Sequence, residues 1–115
     1  MKIIKIAGND FKMTSSAYTQ FAYRNMTNRS FLSDIQKLVE LQKKEEFLIE
    51  DLDQVIDLIL EIAYVMINEA DKSQANTYED FLKSLKEPLF DDKDWIMDVI
   101  SLACLPLSGQ LQNVK

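Results

Sequence analysis

Apolar and polar positions alternate in two short runs at the start of the chain. Ile4 and Ile6 flank Lys5, and Phe11 and Met13 flank Lys12. A period of two puts one face of each run in a core, the pattern of half-buried strands. Between the runs, Ala7-Gly8-Asn9-Asp10 supplies residues that accept positive φ, so residues 2–13 are expected to form a β-hairpin. Two strands alone are marginal in water. The hairpin therefore needs helices or another chain's edge to pack on.

From Thr14 onward the period becomes helical. Thr14, Ser15 and Ser16 offer N-cap oxygens. Tyr18, Phe21, Ala22 and Met26 recur at spacings of three and four, the expected core stripe of a helix over about residues 15–26. Tyr23 lies off that stripe and is a candidate for contact with a partner. A second helix is expected at about 31–42, with Leu32, Ile35, Leu38, Val39 and Gln42 along one side. Lys43-Lys44-Glu45-Glu46 reads as a linker or an exposed helical turn. The third helix, 49–70, starts with Glu50, Asp51 and Asp53, where the helix dipole favours negative charge. It is apolar nearly all round, so it is expected at the centre of the fold.

Thr77, with Asp80 three residues on, opens a fourth helix at about 77–86, whose buried edge is Tyr78, Phe81, Leu82 and Leu85. Pro88 ends it. Asp91 and Asp92 cap a fifth, at about 92–105, with Trp95, Ile96, Val99, Ile100 and Ala103 as its stripe, and Pro106 stops it. Residues 108–115 have no period and are expected to be mobile. The architecture that follows is α+β and mostly α: an N-terminal hairpin packed on a bundle of about five helices, in one domain over residues 1–107.

Composition narrows the chemistry. The 115 residues suffice for a single core without staples. There is no histidine, one cysteine (Cys104) and two glycines (Gly8 and Gly109). That set supplies no Ser-His-Asp triad, no His-ligated zinc, no internal disulfide and no Gly-rich phosphate loop. The most apolar stretch, Leu58–Ile67, is half the length of a membrane span and points to a core helix. The first residues lack the unbroken apolar core of a signal peptide, so a cytoplasmic protein is expected. The net charge of −6 is uneven: residues 1–49 hold eight Lys/Arg and five Asp/Glu, residues 50–115 five and fourteen. An acidic chain is repelled by nucleic acid phosphates. The split itself is either a solvated surface or an attraction between opposite ends of neighbouring copies in a homo-oligomer.

Candidate reactive groups have plain structural readings. Asp91, Asp92, Asp94 and Asp98 lack the glycine and alternation of a calcium loop and suit helix capping. Glu61 interrupts an apolar run, but nothing in the sequence places a second carboxylate beside it. Cys104 has no histidine to activate it and reads as a buried thiol. Apolar residues off the core stripes remain: Leu89, Phe90, Met97, Leu102, Leu105 and nearby Leu107. They are either a second core face or a partner-binding surface. With Tyr23, the first five are the candidate partner-binding residues. No catalytic, cofactor or metal residue is assigned.

Several segments together resemble the tail assembly chaperones of long-tailed bacteriophages and prophages of Gram-positive hosts. They are the hairpin Lys2–Met13, Tyr18-Thr19-Gln20-Phe21, Thr27-Asn28-Arg29-Ser30-Phe31 and Thr77-Tyr78-Glu79-Asp80-Phe81-Leu82. The similarity spans about residues 2–105, and Asn28 stands where the family often has glycine. The resemblance implies a non-enzymatic protein that works in the host bacterial cytoplasm and is not part of the mature virion. Its partner would be the tape measure protein, kept soluble while tail tube subunits polymerise around it, with the tail tube protein as a second contact. It implies no cofactor, no nucleic acid and no membrane. Two further classes stay open: a small acidic regulatory adaptor or antitoxin-like binding module, and an enzyme using Glu61.

Overall fold

The computed structural model describes residues 1–42 and 49–107. Strands β1 (Lys2–Ile6) and β2 (Asn9–Met13) pair antiparallel, with Ile4 opposite Phe11 and Ile6 opposite Asn9. The two-residue turn between them holds Ala7 at φ 48° and Gly8 at φ 87°. Two successive positive φ values match the right-handed twist of the strands, which is why a glycine belongs there. The buried face of the hairpin is Ile4, Ile6, Phe11 and Met13, as the alternation requires.

Among the described residues five α-helices follow: α1 (Ala17–Thr27), α2 (Phe31–Gln42), α3 (Ile49–Ala70), α4 (Tyr78–Lys83) and α5 (Asp94–Cys104). Single 3₁₀ turns cover Lys72–Gln74 and Leu105–Leu107. The fold is thus α+β and mostly helical. Helix α3 is the hub, because it packs against β2 and against each of the other four helices. Its Ile59, Ile62, Ala63, Met66 and Ile67 are fully enclosed. Among the described residues no helix is long and apolar enough to cross a membrane.

Helix ends differ from the sequence expectation where side chains or the hairpin take the backbone groups. The Ser16 hydroxyl accepts from the Tyr18 N–H at 3.2 Å, so α1 starts at residue 17. Asn28 closes α1 in the left-handed region at φ 59°. Asparagine is the residue after glycine that best accepts this conformation. Helix α4 stops at Lys83, three residues short of expectation. The N–H groups of Lys86 and Glu87 instead donate to the Ala7 carbonyl at 2.9 and 3.0 Å. Asn9 adds a side-chain amide bond to the Ser84 carbonyl. The tip of the hairpin is thereby fastened to the end of α4. Helix α5 begins at Asp94, whose N–H is capped by Asp92 Oδ1 at 2.9 Å.

The outer edge of β2 is covered by a side chain. Gln74 accepts from the Lys12 N–H at 2.7 Å and donates to the Lys12 carbonyl at 2.9 Å. Its amide stands in for a residue of a third strand, which protects an edge that would otherwise recruit partners. Of the elements expected from sequence, the linker at Lys43–Glu46 and the tail at 108–115 lie outside the described residues.

The central position of α3 makes a direct prediction. Ile59→Asp puts a charge in a fully enclosed site, which costs several kcal/mol, a large share of the roughly 5–15 kcal/mol that holds a domain together. The expected result is loss of the cooperative thermal transition by circular dichroism. An unchanged midpoint would contradict the packing.

Candidate binding surface

Helix α1 is rotated relative to the orientation its apolar spacing suggests. Thr19 and Tyr23 are its buried residues, both at 0% exposure. Tyr18 and Phe21, expected in the core, are 61% and 52% exposed, and Met26 is also exposed. The reason is polar. Glu69 near the end of α3 accepts from the Ser16 hydroxyl at 2.7 Å and from the Thr19 hydroxyl at 2.6 Å. Tyr23 donates its phenol to the buried Asp34 of α2 at 2.6 Å, and its ring meets Phe31 edge-on at 5.3 Å. Hydrogen bonds to a charged group are stronger than neutral ones. Thr19 and Tyr23 are one helical turn apart, so these bonds fix which side of α1 faces inward. Tyr23 is therefore a core anchor, and its placement as a partner contact is corrected.

Arg29 completes this knot. It donates to Asp34 Oδ2 at 3.1 Å, to the Tyr23 oxygen at 3.0 Å and to Glu61 Oε1 at 2.6 Å. Its guanidinium also lies over the Tyr23 ring, 5.7 Å from the centroid. Lys37 adds a 3.7 Å contact to Asp34. Glu61, isolated in the sequence, is thus the α3 end of an ion pair that ties three helices. Burial, then the bond to Asp34, raises the Tyr23 phenol far above the ordinary tyrosine range. Bonds to Tyr23 and Glu61 hold the Arg29 guanidinium still higher than usual. Tyr78, across α3, is pushed up to about 12, first by burial and then by the Glu61 and Asp57 carboxylates.

The rotation of α1 leaves a ridge with a groove on either side. Ser16 and Thr19 meet Glu69, whereas Arg29, beyond the other end of α1, meets Glu61 about two turns earlier in α3, so α1 and α3 run antiparallel. The groove between them is an open space of about 200 Å³. Tyr64 and Val65 form its floor, Tyr18, Ala22 and Met26 its α1 wall, and Asn68, Glu69 and Lys72 line the rest of it. On the other flank a shallower hollow is lined by Phe21, Arg24 and Leu32. Aromatic and methionine side chains held in solvent on a packed domain are the composition of an interface core.

The residues singled out from sequence near the C-terminus do not form one surface. Leu102 is buried, and Leu89 and Phe90 are half-buried against the core, which corrects their placement as off-core. The Leu89 carbonyl accepts from the Trp95 indole at 2.9 Å and the Leu102 carbonyl from the Ser15 hydroxyl at 2.7 Å. Met97 and Leu105 are exposed, at 50% and 65%. Among the described residues no three His, Cys, Asp or Glu side chains converge as a metal site. Asp98 instead pairs with Lys2 at 3.8 Å. Burial raises the Cys104 thiol, which keeps it protonated and unreactive. The groove was hidden in the sequence because Tyr64 and Val65 read as part of a wholly enclosed helix. One signal set its α1 wall apart: residues 11–33 contain no Asp or Glu in a chain of net charge −6.

Comparison with known protein families, with curated proteins and with solved structures finds no match to this chain.

Two substitutions test the knot. Tyr23→Phe keeps the ring and removes one bond to a buried carboxylate, so it should lower the unfolding free energy by about 1–3 kcal/mol in urea, while Tyr18→Phe changes it little. Equal effects would place the two rings in similar surroundings. The folded-state pKa of Tyr78 lies above its ordinary 10.0, so its contribution to stability is intact below pH 10 and lost as pH rises towards about 12. Tyr78→Phe should therefore lose stability less steeply than the wild type across that window, measured by urea unfolding at stepped pH.

Proposed function

We propose that the chain is a tail assembly chaperone of a long-tailed phage or prophage, acting without catalysis in the bacterial cytoplasm. Its client is the tape measure protein, held soluble until tail tube subunits replace the chaperone. The single observation that carries this reading is the set of large apolar side chains that α1 keeps in solvent while polar bonds fix its inner face. A long helical client exposes apolar stripes before its tube is built. A groove between two helices suits such a stripe, with affinity drawn from a few buried large side chains and without a nucleotide. The resemblance of the hairpin, of Tyr18–Phe21 with Thr27–Phe31, and of Thr77–Leu82 supplies the identity of the client. Exposed Met97 and Leu105 are a secondary contact in the same reading, for the client or for the tail tube protein. Self-association, if it uses the hairpin, is confined to the β1 side, because Gln74 occupies the outer edge of β2.

The test is co-expression with the tape measure protein encoded beside this chain. The client should move from the insoluble to the soluble fraction and co-purify with the chaperone. A client that stays insoluble and does not co-purify removes the reading. The alternative then is an acidic adaptor or antitoxin-like module, whose binding to a basic partner would weaken steeply with salt.

A further inference from the structure

We propose that the free edge of β1 is a docking site for a short extended peptide, which joins the hairpin as a third, antiparallel strand. The pairing register shows which backbone groups are on offer. Gln74 bonds both the N–H and the carbonyl of Lys12, so those two groups point away from β1. Lys12 stands opposite Ile3. In an antiparallel ladder, a pair that exchanges no bonds with each other turns its N–H and C=O groups to the two outer edges. Ile3 therefore aims its N–H and carbonyl outward, and so does Lys5 two residues on. Among the described residues neither makes a hydrogen bond on that side. The two edges of the hairpin thus differ. One is capped by Gln74, and the other presents two donors and two acceptors from residues about 7 Å apart, which is the bonding pattern of an extended chain.

What the edge accepts follows from its surroundings. Lysine often guards an open edge by its charge. Here Lys2 is drawn to Asp98 at 3.8 Å, and Lys5 shares a small hollow with Glu87 and Asp92. Both signs are present, so the edge selects by main-chain bonds rather than by charge. Met1 and Ile3 are 82% and 61% exposed. Ile3 projects from the solvent face of the sheet, since Ile4 and Ile6 take the other, and an apolar or β-branched side chain on the added strand would cover its flank. A second copy fits less well. Strand β1 lies against α5, and β2 against α3. Paired strands are about 4.8 Å apart, whereas packed helices need about 8–10 Å. Joining two copies through β1 would crowd two α5 helices, each with its Asp94 and Asp98, beneath strands only about half that distance apart. A linear peptide brings no such helix.

The probe is a net-neutral peptide of about eight residues that alternates valine and threonine. It is N-methylated at every second residue, which leaves one edge able to pair and stops the peptide stacking on itself. Its control is N-methylated throughout. The readout is amide hydrogen exchange followed by NMR. In the free protein the Ile3 and Lys5 amides should exchange fast and those of Ile4 and Ile6 slowly. Saturating probe should slow the Ile3 and Lys5 amides by about tenfold or more and leave the Lys12 amide, already held by Gln74, unchanged. The control peptide should protect neither. Ile3→Pro removes an outward donor without touching the ladder to β2, and an edge strand accepts proline. Its thermal midpoint should stay near native while the probe binds about tenfold more weakly. Should that variant not fold, the control peptide carries the same test. No added protection of Ile3 and Lys5 at millimolar probe, equal protection by the control, or protection of α1 amides instead overturns the proposal. So does protection of Ile3 and Lys5 that grows with protein concentration and no probe, because a second copy then owns the edge. A loss of binding of about tenfold between low and high salt overturns selection by main-chain bonds. The inference stands apart from the tape measure client: a failed co-expression leaves these amides as they are, and unprotected amides leave that client standing.

Discussion

The contact on which the most structure depends is the bond from Tyr23 to the buried carboxylate of Asp34, with Arg29 closing over both and reaching Glu61. A carboxylate that is nearly enclosed needs its charge compensated, and two side chains from the α1 end and the turn after it supply the donors. Once Tyr23 is committed to Asp34, the rotation of α1 about its axis is set. The Glu69 bonds one turn earlier agree with the same rotation. Everything distinctive about the surface follows, because the residues on the remaining sides of α1 are Tyr18, Phe21 and Met26.

The same logic of borrowed backbone partners holds the hairpin. A two-stranded sheet has two open edges and little core of its own. Here the turn carbonyl of Ala7 takes two N–H groups from the chain beyond α4, and Gln74 fills the edge of β2. The buried face of the hairpin then lies on α3, with Phe11 against Phe81 at 5.3 Å. The hairpin is an integral wall of the core. That frees α1, on the other side of α3, to serve as the exposed ridge.

A surface built this way suits the holding function we propose. The polar knot beneath α1 keeps the helix rigid without using its aromatic residues, so those residues are available at no cost to packing. Rigid presentation limits the ordering that a client must induce on binding. The stretch from Phe11 to Ser33 contains no Asp or Glu, so Tyr18, Phe21 and Met26 sit on a helix without acidic side chains of its own.

The sequence by itself determined the elements. The alternation in residues 2–13, the Gly8 turn, the bounds of the second and third helices and the central place of the third follow from period and from turn chemistry, which act locally. The ends of α4 and α5 were set by bonds to residues far along the chain or to a cap one position over, so local period misplaced them by a few residues. The facing of α1 was decided only by tertiary structure. Its apolar spacing is a valid amphipathic stripe, and hydrophobic burial alone would turn Tyr18, Phe21 and Met26 inward. Burial is non-directional and would accept several rotations. The hydrogen bonds to Asp34 and Glu69 are directional and charge-assisted, and they accept one. Those acceptors lie 11 and 50 residues away from their donors, a distance no local pattern records.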